Sequence, residues 1–431
     1  MTMRLSRPEN FQPVDLAGID LMDHGLFSQG DPHAAWALMR EHDPVRWQNV
    51  GDELGFWSVT TFADGELVLR DHTRFTSQRG TMLFLLGKDD PARGRQMAAT
   101  DPPQHSRMRE PVQKALTNKA VERYRPAIQA EIRRVLAPAL SDETFDFASS
   151  MMMLPMAAAG TMMGVPREYW PRLTELTAMS IAPEDPEFTT GDAKRTLELA
   201  HRELFAFFHD IVKVRRNDLG DDLISMLLSI DLDGRRPETG AILSNCYSLI
   251  LGANVTTPYV PTGAMVEFTT TPVFEDWRAN RATVHRTAID ETLRWASPAN
   301  HFMRYALEDV ELSGKLIRQG EAVVVWLGAC NRDEKVFANP YEFDIRRKPN
   351  RHITFGVGSH YCVGHTVARL TMQILFDELI EHFEGFEITG PVEHLHSNFV
   401  AGIKHMPLRA QIRKESRHLY EAAVDEVAVP A

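Results

Sequence analysis

Apolar residues recur every three or four positions over residues 116–138, 194–216, 238–258, 283–296 and 366–383, the spacing of one buried helical face. Strict alternation is confined to short stretches. Val45-Arg46-Trp47 and Phe56-Trp57-Ser58-Val59 flank a Gly/Asp-rich turn, and Ser313-Gly314 separates Val310-Glu311-Leu312 from Lys315-Leu316-Ile317, so two hairpins are predicted. The most apolar run, Met151 to Val165, is broken by Pro155 and is too short to cross a bilayer. It reads as a core helix whose methionines fill irregular gaps. The pattern predicts a mainly α chain with small β-sheets at its edges.

Composition narrows this picture. A chain of 431 residues exceeds the usual limit of a single core, yet no Gly/Ser-rich linker, low-complexity tract or repeat divides it, so one large globule with sub-regions is expected. A net charge of −12 argues against non-specific nucleic-acid binding. Three cysteines make no disulfide framework and fit a reducing cytoplasm. The N-terminus, Met1-Thr2-Met3-Arg4-Leu5-Ser6, turns polar at once, so neither a signal peptide nor a membrane anchor is expected and the protein is placed in the cytoplasm.

Candidate chemistry centres on Phe355-Gly356-Val357-Gly358-Ser359-His360-Tyr361-Cys362-Val363-Gly364, a cysteine within a glycine-rich loop followed by a helical stretch from Thr366. Thiolate is the metal-binding form of cysteine, and a helix N-terminus favours that charge. The glycines let backbone approach a bulky group and leave N–H groups free to point at sulfur. A lone buried cysteine is usually a small hydrophobe, the reading adopted for Cys246 and Cys330. His360, Cys362 and His365 also raise zinc, but a structural zinc site needs a second ligand pair, and none lies nearby.

The spaced Phe, glycines, His, Cys and Gly of this loop resemble the haem-thiolate loop of cytochromes P450. The resemblance implies the P450 fold over residues 15–413, with 1–14 an N-terminal extension and 414–431 an acidic tail. It implies haem b (heme b, iron protoporphyrin IX) with Cys362 as the axial iron ligand. Phe355, Gly356, His360 and Gly364 would line that cofactor. Glu291-Thr292-Leu293-Arg294 places Glu and Arg at i, i+3 on one helix face, ordinarily a solvated pair. By resemblance it is the structural ExxR pair, and the third partner, an arginine in the family, is replaced by Glu342 near its expected position. His105 and Arg109, in Asp101-Pro102-Pro103-Gln104-His105-Ser106-Arg107-Met108-Arg109, match positions that bind haem propionates. Arg304 and His352 match two more. Buried carboxylates need such partners.

Leu251-Gly252-Ala253-Asn254-Val255-Thr256-Thr257-Pro258 resembles the helix that crosses the distal face of the haem in this family. Ala253 would then lie against the cofactor, and Thr256 would assist proton delivery, with Asn254 and Thr257 as further catalytic candidates. A mid-helix threonine otherwise satisfies a local carbonyl. Val255 stands where the family carries an acid, and valine cannot relay a proton. Asn254 with ordered water, a substrate hydroxyl, or a less usual oxidation would each answer that loss. Pro258 predicts a kink or widened turn beside the oxygen site.

Substrate-facing segments implied by resemblance are Met82, Leu83, Phe84, Leu85 and Leu86; Ala299, Asn300, His301 and Phe302; and Phe399 with Val400. Asn300 and His301 beside an apolar wall suit an amphipathic compound such as a terpenoid, steroid-like molecule or macrocycle. No GxGxxG opens a βαβ unit, so electrons come from another protein, by resemblance a ferredoxin and its ferredoxin reductase. Arg107, Lys114, Lys119 and Arg123 form a candidate docking patch or a plain solvated face. The resulting expectation is a monomeric, haem-thiolate monooxygenase that uses O2 on a small organic substrate, without nucleic acid or membrane. Alternatives are a P450 performing coupling, desaturation or peroxide-driven oxidation, and a catalytically silent P450-like recruitment module.

Overall fold

The computed structural model describes residues 15–231 and 234–425; the expected extension 1–14 lies outside them. The long periodic segments form helices at Ala193–Asn217, Thr239–Asn254, Val273–Ala296 and His365–His382. Ala193–Asn217 shows why. Its buried Thr196, Ala200, Leu204, Phe208 and Val212 repeat every fourth residue, Asp192 caps its start by accepting from the Arg195 N–H, and Arg215 and Arg216 face its negative C-terminal end.

Elements end where backbone chemistry requires it. The predicted helix 116–138 divides into Asn118–Glu122 and Arg125–Leu136, with Pro126 in the first turn of the second. The segment 283–296 extends back to Val273 across a kink at Asn280 (φ −113°, ψ 16°). The methionine-rich run is not one α-helix, because a π-turn at Met156–Gly160 follows Pro155. Its Met151, Met156, Met162 and Met163 are buried in the helical core as expected.

The main sheet has the order Val45–Gly51, Leu54–Val59, Ala322–Trp326, His301–Ala306, Phe75–Thr76, with one parallel pairing between the second and third. Ala322–Trp326 is buried along its whole length, and its alternate residues serve two different cores. Val323 and Val325 pack with Val45, Val59 and Ile353, whereas Ala322, Val324 and Trp326 pack with Trp36, Met39 and Met303. Ser313 (φ 45°) and Gly314 (φ 77°) make the predicted tight turn of the second hairpin.

The stretch expected to be a tail is structured through residue 425. Arg417–Asp425 is a helix, Tyr420 is fully buried and donates to Glu378 Oε2 at 3.0 Å, and Arg134 Nε donates to the Ala423 carbonyl at 2.7 Å. Position 413 is therefore no boundary. Among the described residues, no helix is long and apolar enough to cross a membrane.

Candidate active site

The cysteine loop is built by two left-handed glycines. Gly356 (φ 69°) and Gly358 (φ 74°) reverse the chain, and a Cβ on Gly358 would stand 2.8 Å from Arg70 Cα. Three backbone bonds close the loop: Gly356 N to Ile353 O (2.8 Å), Cys362 N to Phe355 O (2.8 Å) and Tyr361 N to Gly358 O (3.1 Å). Cys362 is half-buried at its end, and the helix His365–His382 follows. Burial pushes its thiol pKa up, while the Gly364 N–H and the Arg109 and Arg369 charges favour thiolate. Among the described residues, no group of three or more His, Cys, Asp or Glu is placed to hold a metal ion. His365 Nδ1 is instead 2.9 Å from the Cys362 carbonyl oxygen.

Beside this loop, His105 and His360 lie with ring centroids 4.3 Å apart. His105 Nδ1 and His360 Nε2 are buried without hydrogen-bond partners. Burial, reinforced by nearby cations, lowers His105 to about 4 and His360 to about 2. Arg304 is 5 % exposed, donates to the Met303 carbonyl at 2.8 Å, and is lowered by burial to about 10. Arg109 Nη2 donates to the Tyr361 carbonyl at 2.5 Å, and its charge bears on both His105 and His360. Orphaned donors and buried cations together call for an acceptor-rich anion. A flat dianionic haem whose iron meets Cys362 fits this set.

His352, the remaining expected haem-holding residue, stands beside Asp290 of the helix Val273–Ala296. Its Nε2 stands 3.8 Å from Asp290 Oδ1, its ring lies 6.0 Å from that of Phe355, and the charges acting on it are Asp290, Arg369 and Arg294. Its buried Nδ1, like His105 Nδ1 and His360 Nε2, has no hydrogen-bond partner.

The Glu291–Arg294 pair is completely buried and has a third member that the sequence reading missed. Arg294 donates Nε and Nη2 to Glu291 (2.8 and 2.7 Å), Nη1 to the Asn331 and Pro340 carbonyls, and Nη2 to Glu342 O. Arg347 Nε lies 3.1 Å from both Glu291 oxygens, and its other nitrogens reach the carbonyls of Ala338, Asn339 and Glu342. The triad is thus complete. Glu342 contributes a backbone oxygen, and its side chain leaves the arginine's place to residue 347. Thr354 Oγ1 donates to the Leu293 carbonyl and accepts from Asn331, which ties this polar core to the cysteine loop.

On the opposite side, the helix Thr239–Asn254 stops where Pro258 cannot return a bond to the Asn254 carbonyl. Tighter bonds, Tyr259 N to Thr256 O (3.2 Å) and Val260 N to Thr257 O (3.4 Å), carry the chain into the helix Tyr259–Thr270. The helix therefore breaks beside Pro258 as expected, through a tightened turn and not a widened one. Gly252 is exposed with no atom within 4 Å of a would-be Cβ, Ala253 and Thr257 are half-buried, and Thr256 Oγ1 donates to the Gly252 carbonyl at 3.0 Å. Asn254, a further catalytic candidate, is buried with its Oδ1 unpartnered. It is 1 % exposed and its Nδ2 donates to Thr177 Oγ1 at 3.2 Å, tying this helix to Trp170–Ile181. Val255 turns into an apolar wall with Ile181, Tyr259, Phe399 and Val400, joined by Met82, Leu251 and Phe302.

Of the expected substrate-facing residues, Met82, Phe302, Phe399 and Val400 meet at this wall. Leu83 and Leu86 instead pack with Trp36 and Trp326 in the core beneath the sheet, and Phe84 is exposed. Ala299 is buried with the sheet core and bridges Val400. His301 is fully buried: its Nε2 accepts from the Leu83 N–H at 3.1 Å, its Nδ1 lies 3.2 Å from the Asn398 carbonyl, and burial lowers it to about 3. Asn300 lines a separate cavity of about 150 Å³ with Trp36, Trp295 and Arg332. Alternation along strand 301–306 explains the split, since Phe302 faces one side and His301 and Met303 the other. Leu251 and Ile181 were missed because only tertiary packing brings their helices together.

Residues 279–408 match the family model described as Cytochrome P450. The chain is 30% identical over 414 residues to cytochrome P450 NovI of Streptomyces niveus, covering 94% of this chain and 99% of that protein. It is 30% identical over 403 residues to a steroid C26-monooxygenase of Mycobacterium bovis, covering 90% and 92%. The solved structure of P450 OxyD, involved in the biosynthesis of vancomycin-type antibiotics, superposes with a TM-score of 0.83 at 32% identity over 92% of this chain and 100% of that one. With these likenesses over nearly its whole length, and with its cysteine loop and buried Glu-Arg-Arg triad, the chain belongs to the cytochrome P450 family and is an oxidoreductase of the monooxygenase type.

Proposed function

We propose that this P450 binds haem b through Cys362, with His105, Arg109, Arg304 and His360 holding its propionates, and uses O2 to oxidise a largely apolar natural product of the terpenoid or steroid-like class. The observation that carries the reading is the placement of the Cys362 loop beside the orphaned donors of His105 and His360 and the buried Arg304. The bound haem would supply oxygen activation at its iron, with the thiolate pushing electron density toward it. The chain's own residues bind, orient and screen. Gly364 N–H and the Arg109 and Arg369 charges stabilise the Cys362 thiolate against burial. Met82, Leu251, Val255, Phe302, Phe399 and Val400 exclude water and hold an apolar skeleton by contact area. With His301 and Asn300 turned away, that wall is less polar than the sequence reading implied. A steroid-like nucleus agrees with it, and the M. bovis relative is named for a steroid reaction.

Thr256 is the proton-handling residue in this reading. Its hydroxyl hydrogen is given to Gly252 O, so its lone pairs remain to accept from a donor on the cleft side. Thr257 is the neighbouring hydroxyl. Val255 favours one second reading, an oxidation such as coupling or desaturation that is less dependent on a side-chain acid. Electrons would arrive from a ferredoxin and its reductase near Arg107, Lys114, Lys119 and Arg123, all exposed. Glu110 pairs with Lys114 at 2.7 Å and Asp221 with Arg123 at 2.8 Å, which weakens that patch's attraction.

The test is optical. Purified protein, reduced and exposed to CO, should show the red-shifted Soret band of a thiolate-ligated haem, and Cys362→Ser should abolish it. Steroids and terpenoids should shift the spin state of the oxidised enzyme. A purified protein that takes up no haem would overturn the reading.

A further inference from the structure

The loop of residues 80–100 crosses from the sheet to the distal helix, and Met82 on it belongs to the pocket wall. Two sets of hydrogen bonds hold it. At its front, Met303 N donates to Thr81 O (2.8 Å), Leu83 N to His301 Nε2 (3.1 Å) and Gly87 N to Tyr305 Oη (3.1 Å). At its rear a single side chain does most of the holding. Asn245, 5 % exposed on helix Thr239–Asn254, accepts from Met97 N at 2.9 Å and donates to Arg95 O at 2.9 Å and to Ala241 O at 2.8 Å. Gln96 Nε2 adds a bond to the Ser244 carbonyl at 3.0 Å. Residues 88–93 between the two anchors are exposed or half-buried and bonded only locally.

The carboxamide of Asn245 meets an O and an N–H two residues apart, the same edge that a neighbouring strand would pair with. It therefore reads loop backbone, and the match needs one acceptor and one donor in a fixed plane. Leucine offers neither. Aspartate keeps the acceptor for Met97 N but loses both donations. An asparagine that served only its own helix would bond Ala241 O and stop there.

We propose that Asn245 is a positioning residue that clamps the rear of the 80–100 loop to the distal helix and so sets how readily a ligand enters the pocket. With the front anchored on the sheet, freeing the loop's rear from the distal helix means breaking the Asn245 and Gln96 bonds, beside the core packing of Met97 and the Gln104 bond to Gly94 O at 2.9 Å. The clamp stands on its own geometry, whereas its effect on entry rests on the proposed haem pocket.

Hydrogen exchange on the full-length enzyme tests the clamp without reference to the haem. In Asn245→Leu the Met97 amide and its flanking residues should exchange roughly tenfold faster or more, the size expected for losing at least one net hydrogen bond. Strand Ala322–Trp326 should keep its protection. Gln96→Ala, which leaves the helix untouched, should show a smaller rise at the same amides and carries the test if Asn245→Leu does not fold. Stopped-flow binding of imidazole to the haem-loaded enzyme tests entry, and its association should be faster in both variants. Unchanged exchange at residues 94–97 overturns the clamp. Faster exchange with unchanged imidazole association overturns its control of entry, and a failure to load haem is seen separately in the Soret spectrum.

Discussion

Arg347→Met tests the triad that the structure completed. The substitution keeps an unbranched apolar stem of similar reach and removes the guanidinium from a site 7 % exposed. Glu291 would keep its two bonds from Arg294, the Asp344 N–H at 2.9 Å and Asn350 Nδ2 at 3.0 Å, so the carboxylate is not stranded. The Glu342 carbonyl also keeps a donor in Arg294. The Asn339 carbonyl keeps the Glu342 N–H at 3.0 Å, and the Ala338 carbonyl alone loses its donor. The main loss is the buried Arg347–Glu291 pair itself: removing one partner of such a pair costs about 3–5 kcal/mol, and the bonds that Glu291 keeps put this case at the lower end. Urea unfolding followed by circular dichroism, with the slope unchanged, should show a midpoint shift worth about 3 kcal/mol or more. Arg347→Lys should recover only part of it, because an ammonium cannot span the carboxylate and two carbonyls at once. Soret absorbance per protein should fall with stability, since the same polar core reaches the cysteine loop through Thr354. A loss below about 1 kcal/mol for Arg347→Met would refute the claim that residue 347 supplies the third partner.

Further outcomes follow from the same structure. Thr256→Ala removes a hydroxyl whose one hydrogen bond here is to Gly252 O, so the fold should survive while product formed per reductant consumed falls about tenfold or more; unchanged coupling would end the relay role. His405 lies between Asp146 Oδ2 (2.5 Å) and Glu187 Oε2 (2.8 Å), and although burial opposes its charge, those carboxylates raise its pKa above 6.5. The stability it contributes should be fully present below about pH 6.5 and be lost as pH rises through the higher folded value. His405→Gln should therefore be destabilised relative to the parent chain at pH 6 and converge with it at pH 9. Equal differences at both values would show that the protonated imidazole is not what those acids bind.

Periodicity made the long helices legible because one buried face is a local property of the chain. It also made the hairpins legible, since Ser313-Gly314 states its turn in two residues. The Cys362 loop could be read as well, because its chemistry is contiguous. Arg347 was not legible. It stands far along the chain from Glu291 and beside Arg346, which goes instead to Asp276 at the surface, and no local pattern separates the two arginines. The partners of Asn254 and His301 were not legible for a related reason, since a polar residue in a helix or strand does not declare which neighbour it meets.

By itself the sequence determined the fold class, the helices and the cysteine loop, each specified by residues close together in the chain. Only the tertiary structure decided which side chains pack together. Phe302 joins the apolar cluster of Val255 and Phe399 while His301, one residue away, is buried against Trp326 and the Leu83 N–H, because a strand sends successive side chains to opposite faces and packing chooses between them.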